Sequence, residues 1–314
     1  MRRRGEPMNN SPRIRSAKDR RIVAEGNLGY LEGARWHDDA LWFSDMSRRM
    51  ICRLSPDGVV EDVAEVAGRP SGLGFAPDGS PLVVSIEDGR LLRLGENGLE
   101  ELVDLNSIAY HPNDMVVDRE GRAYIGPQGY VFGSEPIGVG LIIRHPDGRM
   151  DTGGEDLIFP NGIAISGDGR MLVVAESFRT PRARLTAFDV EDGGSLTNQR
   201  VFAEFGSPDI ESVDGIGIDS EGAVWTAFPW IGEFRRVREG GEVTDIIRIE
   251  PDTVAYPDGG NFAVDAVLGG PDLRTLFLLI SDTSPERIVA GFQAEGRIEA
   301  ISVDVAGITD SRTT

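Results

Sequence analysis

Short apolar runs alternate with turn residues along most of the chain, and one unit recurs. In 159–177 (FPNGIAISGDGRMLVVAES) an amide, Asn161, opens the apolar run Ile163, Ala164, Ile165. The turn Gly167-Asp168-Gly169 follows, then a second apolar run from Met171 to Ala175. Two such runs about a short Asp/Gly turn predict a β-hairpin. The same unit begins at Glu32 (EGARWHDDALWFSDM), Ser71 (SGLGFAPDGSPLVVSI), Asn113 (NDMVVDREGRAYIG) and Asp214 (DGIGIDSEGAVWTAF). A sixth copy, DAVLGGPDLRTLFLLIS from Asp265, lacks the early glycine but keeps the turn.

Successive copies are spaced by about 39, 42, 48, 53 and 51 residues. Further strand-like stretches lie between them, at 90–94, 141–144, 185–189 and 234–237. About four strands per unit at this period is the pattern of a β-propeller blade, and six copies predict six blades. No long amphipathic helix pattern competes. The expected fold is all-β, a six-bladed propeller over 21–314, closed by pairing a strand near 21–25 with one near 297–303. Closure of that kind removes exposed sheet edges.

The innermost strand of each blade runs along the central axis, so residues at one repeat position converge there. The first-position residues are Glu32, Ser71, Asn113, Asn161, Asp214 and Asp265, all polar. Taken singly, each reads as a turn or cap residue beside a wet channel. Taken as a column, carboxylates gathered in a narrow channel repel one another and resist desolvation. A divalent cation removes both costs. Oxygen donors of mixed carboxylate and amide type suit a hard cation, Ca²⁺ first, with Mg²⁺ or Mn²⁺ as alternatives. Zn²⁺, a further alternative, more often recruits His or Cys. The three histidines, His37, His111 and His145, form no metal-spaced cluster. The pattern therefore predicts a metal in the central channel.

Composition narrows the function classes. The net charge is −20, which disfavours a phosphate-binding face and hence nucleic acid. Acidic surfaces also repel anionic membranes. Nowhere do about 18 apolar residues run together. Cys52 is the only cysteine, so neither an intrachain disulfide nor a thiolate zinc site is available, in keeping with a reducing cytoplasm. The arginine-rich stretch 1–20 lacks a signal-peptide core and reads as a disordered basic tail. The expected partner is a small-molecule substrate, with no nucleic acid and no membrane, for a monomer or weak homo-oligomer. The glycine pairs at 153–154 and 193–194 lack the strand–turn–helix setting of a phosphate-binding loop, and no G-x-S-x-G elbow occurs. The aromatic cluster Trp225, Phe228, Trp230 follows the fifth repeat, and Trp230 is a candidate pocket wall. The segment 128–135 is a candidate lid.

The chain resembles the regucalcin, gluconolactonase and luciferin-regenerating family of six-bladed propellers. The residues that carry the resemblance are LEGARW (31–36), PNDMVVDREGRAYIG (112–126), FPNGIAIS (159–166), AESF (175–178), VDGIGIDSEGAVW (213–225) and GGPDLRTLF (269–277). They span nearly the whole chain. The resemblance implies one divalent cation held by Glu32, Asn161 and Asp214, with Asn113 as a further ligand or substrate contact. It implies hydrolysis of a sugar lactone or related cyclic ester by water attack on a metal-polarised carbonyl, with Asp214 as the base; Asp265, a second carboxylate near the cation, is the runner-up on its chemistry alone. Two departures bear on substrate. His111 stands where sugar-lactone members often carry an arginine, which makes it a substrate contact or proton shuttle. Asp265 stands where relatives tend to have a small hydroxyl residue. Hydrolysis of other esters or phosphotriesters on the same metal, or calcium binding without turnover, are the competing readings.

Overall fold

The computed structural model describes residues 11–108, 111–129, 135–249 and 259–308. Six antiparallel sheets follow one another in chain order. Their innermost strands are Leu31–His37, Pro70–Phe75, Pro112–Val117, Pro160–Ile165, Ile216–Ile218 and Gly260–Gly269. Neighbouring inner strands pack side by side, and the sixth returns to touch the first. The all-β six-bladed propeller is thus the fold. Among the described residues helix is limited to short pieces such as Pro208–Glu211 and Pro285–Val289. Among the described residues no helix is long and apolar enough to cross a membrane.

The hairpin turns have the expected local cause. In the fourth repeat Gly169 donates its N–H to the Ser166 carbonyl at 2.8 Å. The Asp168 carboxylate accepts the Arg170 N–H at 3.0 Å, and Gly169 holds φ at +72°. That backbone region is open to glycine at little cost. Between each pair of adjacent blades lies its own apolar core. Phe75 and Val83 pack between blades one and two, Leu141 and Phe188 between three and four, and Leu31 and Phe277 between six and one. One face of every sheet therefore depends on its neighbour, and closing the ring buries them all. Cys52 sits wholly inside this packing, and burial pushes its thiol up to about 12.

Closure occurs as the sequence predicts. Arg20–Glu25 pairs antiparallel with Glu295–Ser302, with Arg21 opposite Ala300 and Glu25 opposite Arg297. The expected tail is corrected in part. Arg13–Arg15 is a fifth strand on blade five, parallel to Val243–Arg248. Its basic side chains are the reason: Arg15 donates to Asp245 at 2.8 Å and Arg13 to Asp304 at 2.5 Å. Opposite charge supplied by the acidic blades orders a segment whose composition alone reads as tail. Residues 1–10 lie outside the described residues, as does most of the candidate lid (130–134).

Candidate functional site

A cavity of about 560 Å³ opens where the inner strands begin. Its floor contains Glu32, Asn113, Asn161 and Asp214, one residue from each of blades one, three, four and five. The structure therefore brings the four expected metal ligands together. All four are buried. Three of them stand where the pairing with the second strand slips by a residue, and Asp214 stands just before the inner strand Ile216–Ile218. Such slips lie between Glu32 and Arg35, Pro112 and Met115, and Pro160 and Ile163. A slip of this kind re-aims a side chain, here toward the axis.

A relay of hydrogen bonds fixes the two amides. The Ser71 hydroxyl donates to Asn113 Oδ1 at 3.0 Å. Asn113 Nδ2 donates to Asn161 Oδ1 at 3.1 Å, and Asn161 Nδ2 to Ser177 Oγ at 3.2 Å. Ser177 in turn donates to the Val213 carbonyl at 2.6 Å. Each amide oxygen keeps a second lone pair. Ser71 thus supports the ligand set from the same column.

The two carboxylates are less comfortable. Burial raises Glu32 well above the usual carboxylate range, and the charges of Asp214, Asp265 and Asp114 push it further. Burial raises Asp214 likewise, reinforced by Asp265 and Asp114 and opposed by a hydrogen bond from Asn161. Asp214 Oδ1 is buried without a hydrogen-bond partner. No Arg or Lys is among the described residues lining the cavity. An orphaned carboxylate oxygen, a second buried carboxylate and two amide oxygens form a donor set that fits a hard divalent cation.

Asp265 requires a correction of one residue. Its Oδ2 accepts the Ala34 N–H from the next blade at 2.7 Å, and its Oδ1 accepts the Ala266 N–H at 2.7 Å. Asp114 does the same work across the ring, where Oδ2 accepts the Ile163 N–H at 3.2 Å. Ala34 and Ile163 are each two residues past their column residue, and Asp114 is one past Asn113. Asp265 is therefore the counterpart of Asp114, and the column position of blade six is Val264. With the early glycine missing, the carboxylate looked like the column residue. Asp265 is absent from the residues lining the cavity. Burial raises it to about 7, against the pull of Arg35. Arg35 itself donates to Asp114 Oδ1 at 3.1 Å. This ion cluster lies a layer below the cavity floor, toward a second cavity of about 530 Å³ lined by the far ends of the inner strands. Where Asp265 passes Gly215, a Cβ on that glycine would stand 2.2 Å from Asp265 Oδ1, so the close approach demands glycine.

His111 and Trp230 both line the cavity. The Trp230 ring meets Phe262 edge-on at 5.1 Å, and its Nε1 donates to the Pro208 carbonyl at 3.1 Å. His145 is held by Asp151 at 2.9 Å and His37 stacks on Phe75 at 3.8 Å, so neither joins the site. Several residues of the site carry no repeat signal in the sequence, Tyr30 foremost. Tyr30 lines the cavity, and its hydroxyl is raised well above the usual value by burial, then by Asp214 and Glu32. Its place two residues before Glu32 was the only signal.

A family profile described as "SMP-30/Gluconolactonase/LRE-like region" matches residues 31–281. Strictosidine synthase-like protein 7 of Arabidopsis thaliana is 27% identical over 188 residues, 55% of this chain and 47% of that protein. The chain thus spans about half the length of that relative. A gluconolactonase of Zymomonas mobilis is 22% identical over 66% of this chain and 67% of its own. Among solved structures, a calcium-binding protein, regucalcin, of Agrobacterium tumefaciens superposes with a TM-score of 0.74 at 21% identity, covering 95% of this chain and 97% of that one.

Proposed function

The chain belongs to the SMP-30/gluconolactonase/LRE-like family, and from that membership we propose that it is a divalent-cation-dependent hydrolase that opens a lactone. The observation that carries the reading is the buried, partnerless Asp214 Oδ1 beside Glu32 in a cavity floored by two further oxygen donors. Family membership supports the reaction class, since one relative is named a gluconolactonase. The regucalcin likeness supports Ca²⁺ as the first cation to load.

Glu32, Asn161, Asp214 and Asn113 would hold the cation. When bound, it supplies Lewis-acid stabilisation of the negative charge that develops on an ester carbonyl oxygen. The chain's own residues do the rest. Asp214 would take the proton of the attacking water, a role supported by its having an oxygen not engaged by the protein. The Ser71–Asn113–Asn161–Ser177 relay holds both amides in one orientation, so little reorganisation accompanies reaction. Tyr30 keeps its proton, being raised well above its usual value, and stands as a neutral donor beside the carboxylates. His111 and Trp230 bound the space where substrate sits.

The test is hydrolysis of a lactone panel by the full chain after chelation and again after adding back Ca²⁺, Mn²⁺, Mg²⁺ or Zn²⁺, followed by pH-stat. Activity should vanish with chelator and return with one cation, and Asp214→Ala should abolish it. Turnover untouched by chelation, or retained by Asp214→Ala, refutes the reading.

A further inference from the structure

Above its polar floor the cavity is walled by Met46, Ile86, Trp230, Phe262, Ile288 and Phe292. These come from blades one, two, five and six and from the loops beside them. Aromatic edges brace the wall: Phe262 meets Trp230 at 5.1 Å and Phe292 meets Tyr30 at 5.5 Å. Several polar groups in the wall already spend their hydrogens on the protein. Ser212 Oγ donates to the Ser177 carbonyl at 3.0 Å, Ser177 Oγ to the Val213 carbonyl at 2.6 Å, and Trp230 Nε1 to the Pro208 carbonyl at 3.1 Å. Trp230 therefore offers substrate its ring. Glu87 is taken up by Arg49 at 2.7 Å and Arg69 at 2.8 Å. His111 and Gln128, joined by a backbone hydrogen bond of 2.9 Å, form one polar edge.

A sugar lactone carries hydroxyls on most ring carbons, and burial against such a wall leaves them unpaired. An apolar body of the same size gains by leaving water. We propose that the site selects cyclic esters with an aryl or alkyl body over polyhydroxylated sugar lactones, with Trp230 as the specificity-determining contact. The proposal rests on the lactonase reading of the same site. The reaction needs no co-reactant beyond water. The water oxygen bonds to the carbonyl carbon, the ring C–O bond breaks, and the water proton ends on the departing ring oxygen, giving a hydroxy acid.

The experiment compares kcat/KM of the Ca²⁺-loaded full chain on 3,4-dihydrocoumarin, a medium-chain γ-alkyl lactone and glucono-δ-lactone, for the parent, Trp230→Ala and Trp230→Phe. An apolar pocket rejects an added hydroxyl by about 100-fold, so the apolar lactones should lead by at least that factor. Trp230→Ala should narrow the lead by roughly tenfold or more, as loss of pocket contact does, and Trp230→Phe should restore most of it. A faster sugar lactone, or a preference that Trp230→Ala leaves unmoved, overturns the proposal. Binding of two non-hydrolysable lactams, 3,4-dihydroquinolin-2-one and gluconolactam, is measured in parallel by calorimetry. If no lactone is turned over, the hydrolase reading falls, while tighter binding of the aryl lactam sustains the substrate class. Tighter binding of gluconolactam, or binding of neither, overturns it.

Discussion

Replacing Asp214 with Asn should push metal-free and metal-loaded protein in opposite directions. In the metal-free protein Asp214 is a buried carboxylate with a partnerless oxygen, crowded by Asp265, Asp114 and Glu32. Leaving such a group unsatisfied costs about 1–3 kcal/mol. The amide has nearly the same shape and no charge, so the variant should shed the extra cost that charge adds to an unsatisfied buried group, roughly 1–3 kcal/mol. For a chain of this size 1 kcal/mol moves Tm by roughly 2 °C, so the metal-free variant should melt roughly 2–6 °C above the parent. The gain should depend on pH. The folded pKa of Asp214 lies above its unfolded value. Its contribution is therefore fully present below the unfolded pKa and is lost as pH rises through the folded one. The variant's advantage should be small in acid and widen toward alkaline pH. With Ca²⁺ at 100 times its Kd the parent gains about 2.7 kcal/mol, close to 5 °C, whereas the variant, one ligand short, should gain far less. Scanning calorimetry with chelator and with Ca²⁺, across a pH series, reads all of this. A variant that melts lower than the parent in chelator, or keeps the full Ca²⁺ shift, would refute the assignment of Asp214 as a strained ligand.

The same carboxylates predict that cation binding releases protons, since Glu32 and Asp214 are both raised and must be stripped of them. Calorimetric titration in buffers of differing ionisation enthalpy should show release that grows as pH falls, with affinity falling alongside; release of zero at every pH sinks the idea. Gly215→Ala should destabilise by about 1–3 kcal/mol, because its Cβ would stand 2.2 Å from Asp265 Oδ1. Gly193→Ala meets nothing within 4 Å and should be near neutral; equal denaturation midpoints for the two would contradict the packing described. Asp265→Leu strips the acceptor from the Ala34 and Ala266 N–H groups, two orphans at about 1–3 kcal/mol each. Urea unfolding in chelator should show that loss, and an unchanged midpoint would mean that Asp265 does not tie blade six to blade one.

Much of the site was readable because the repeat aligns it. Glu32, Asn113, Asn161 and Asp214 sit at one repeat position, and a propeller sends equal positions to one place. Asp265 shows the limit of that reading. Its copy lacks the glycine that marks register, and side chains of neighbouring strand residues point to opposite sides, so an error of one residue moves a group to another layer. Only its hydrogen bonds to Ala34 and Ala266 fix its place.

The sequence by itself determined the fold, the closure of the ring and the four converging oxygen donors. Hairpin turns, apolar runs and their period are local properties, and six copies leave one way to bury every sheet face. Tertiary structure alone decided the rest. Arg13–Arg15 became a strand through ion pairs with Asp245 and Asp304, residues far along the chain whose arrival no local pattern announces. Tyr30 joined the carboxylates, and Met46, Ile86, Phe262, Ile288 and Phe292 made one wall with the expected Trp230, because blade order and loop packing bring them together. A repeat specifies where its own equivalent residues meet. The walls of the cavity come from the parts that differ between copies, and their meeting exists only in the closed ring.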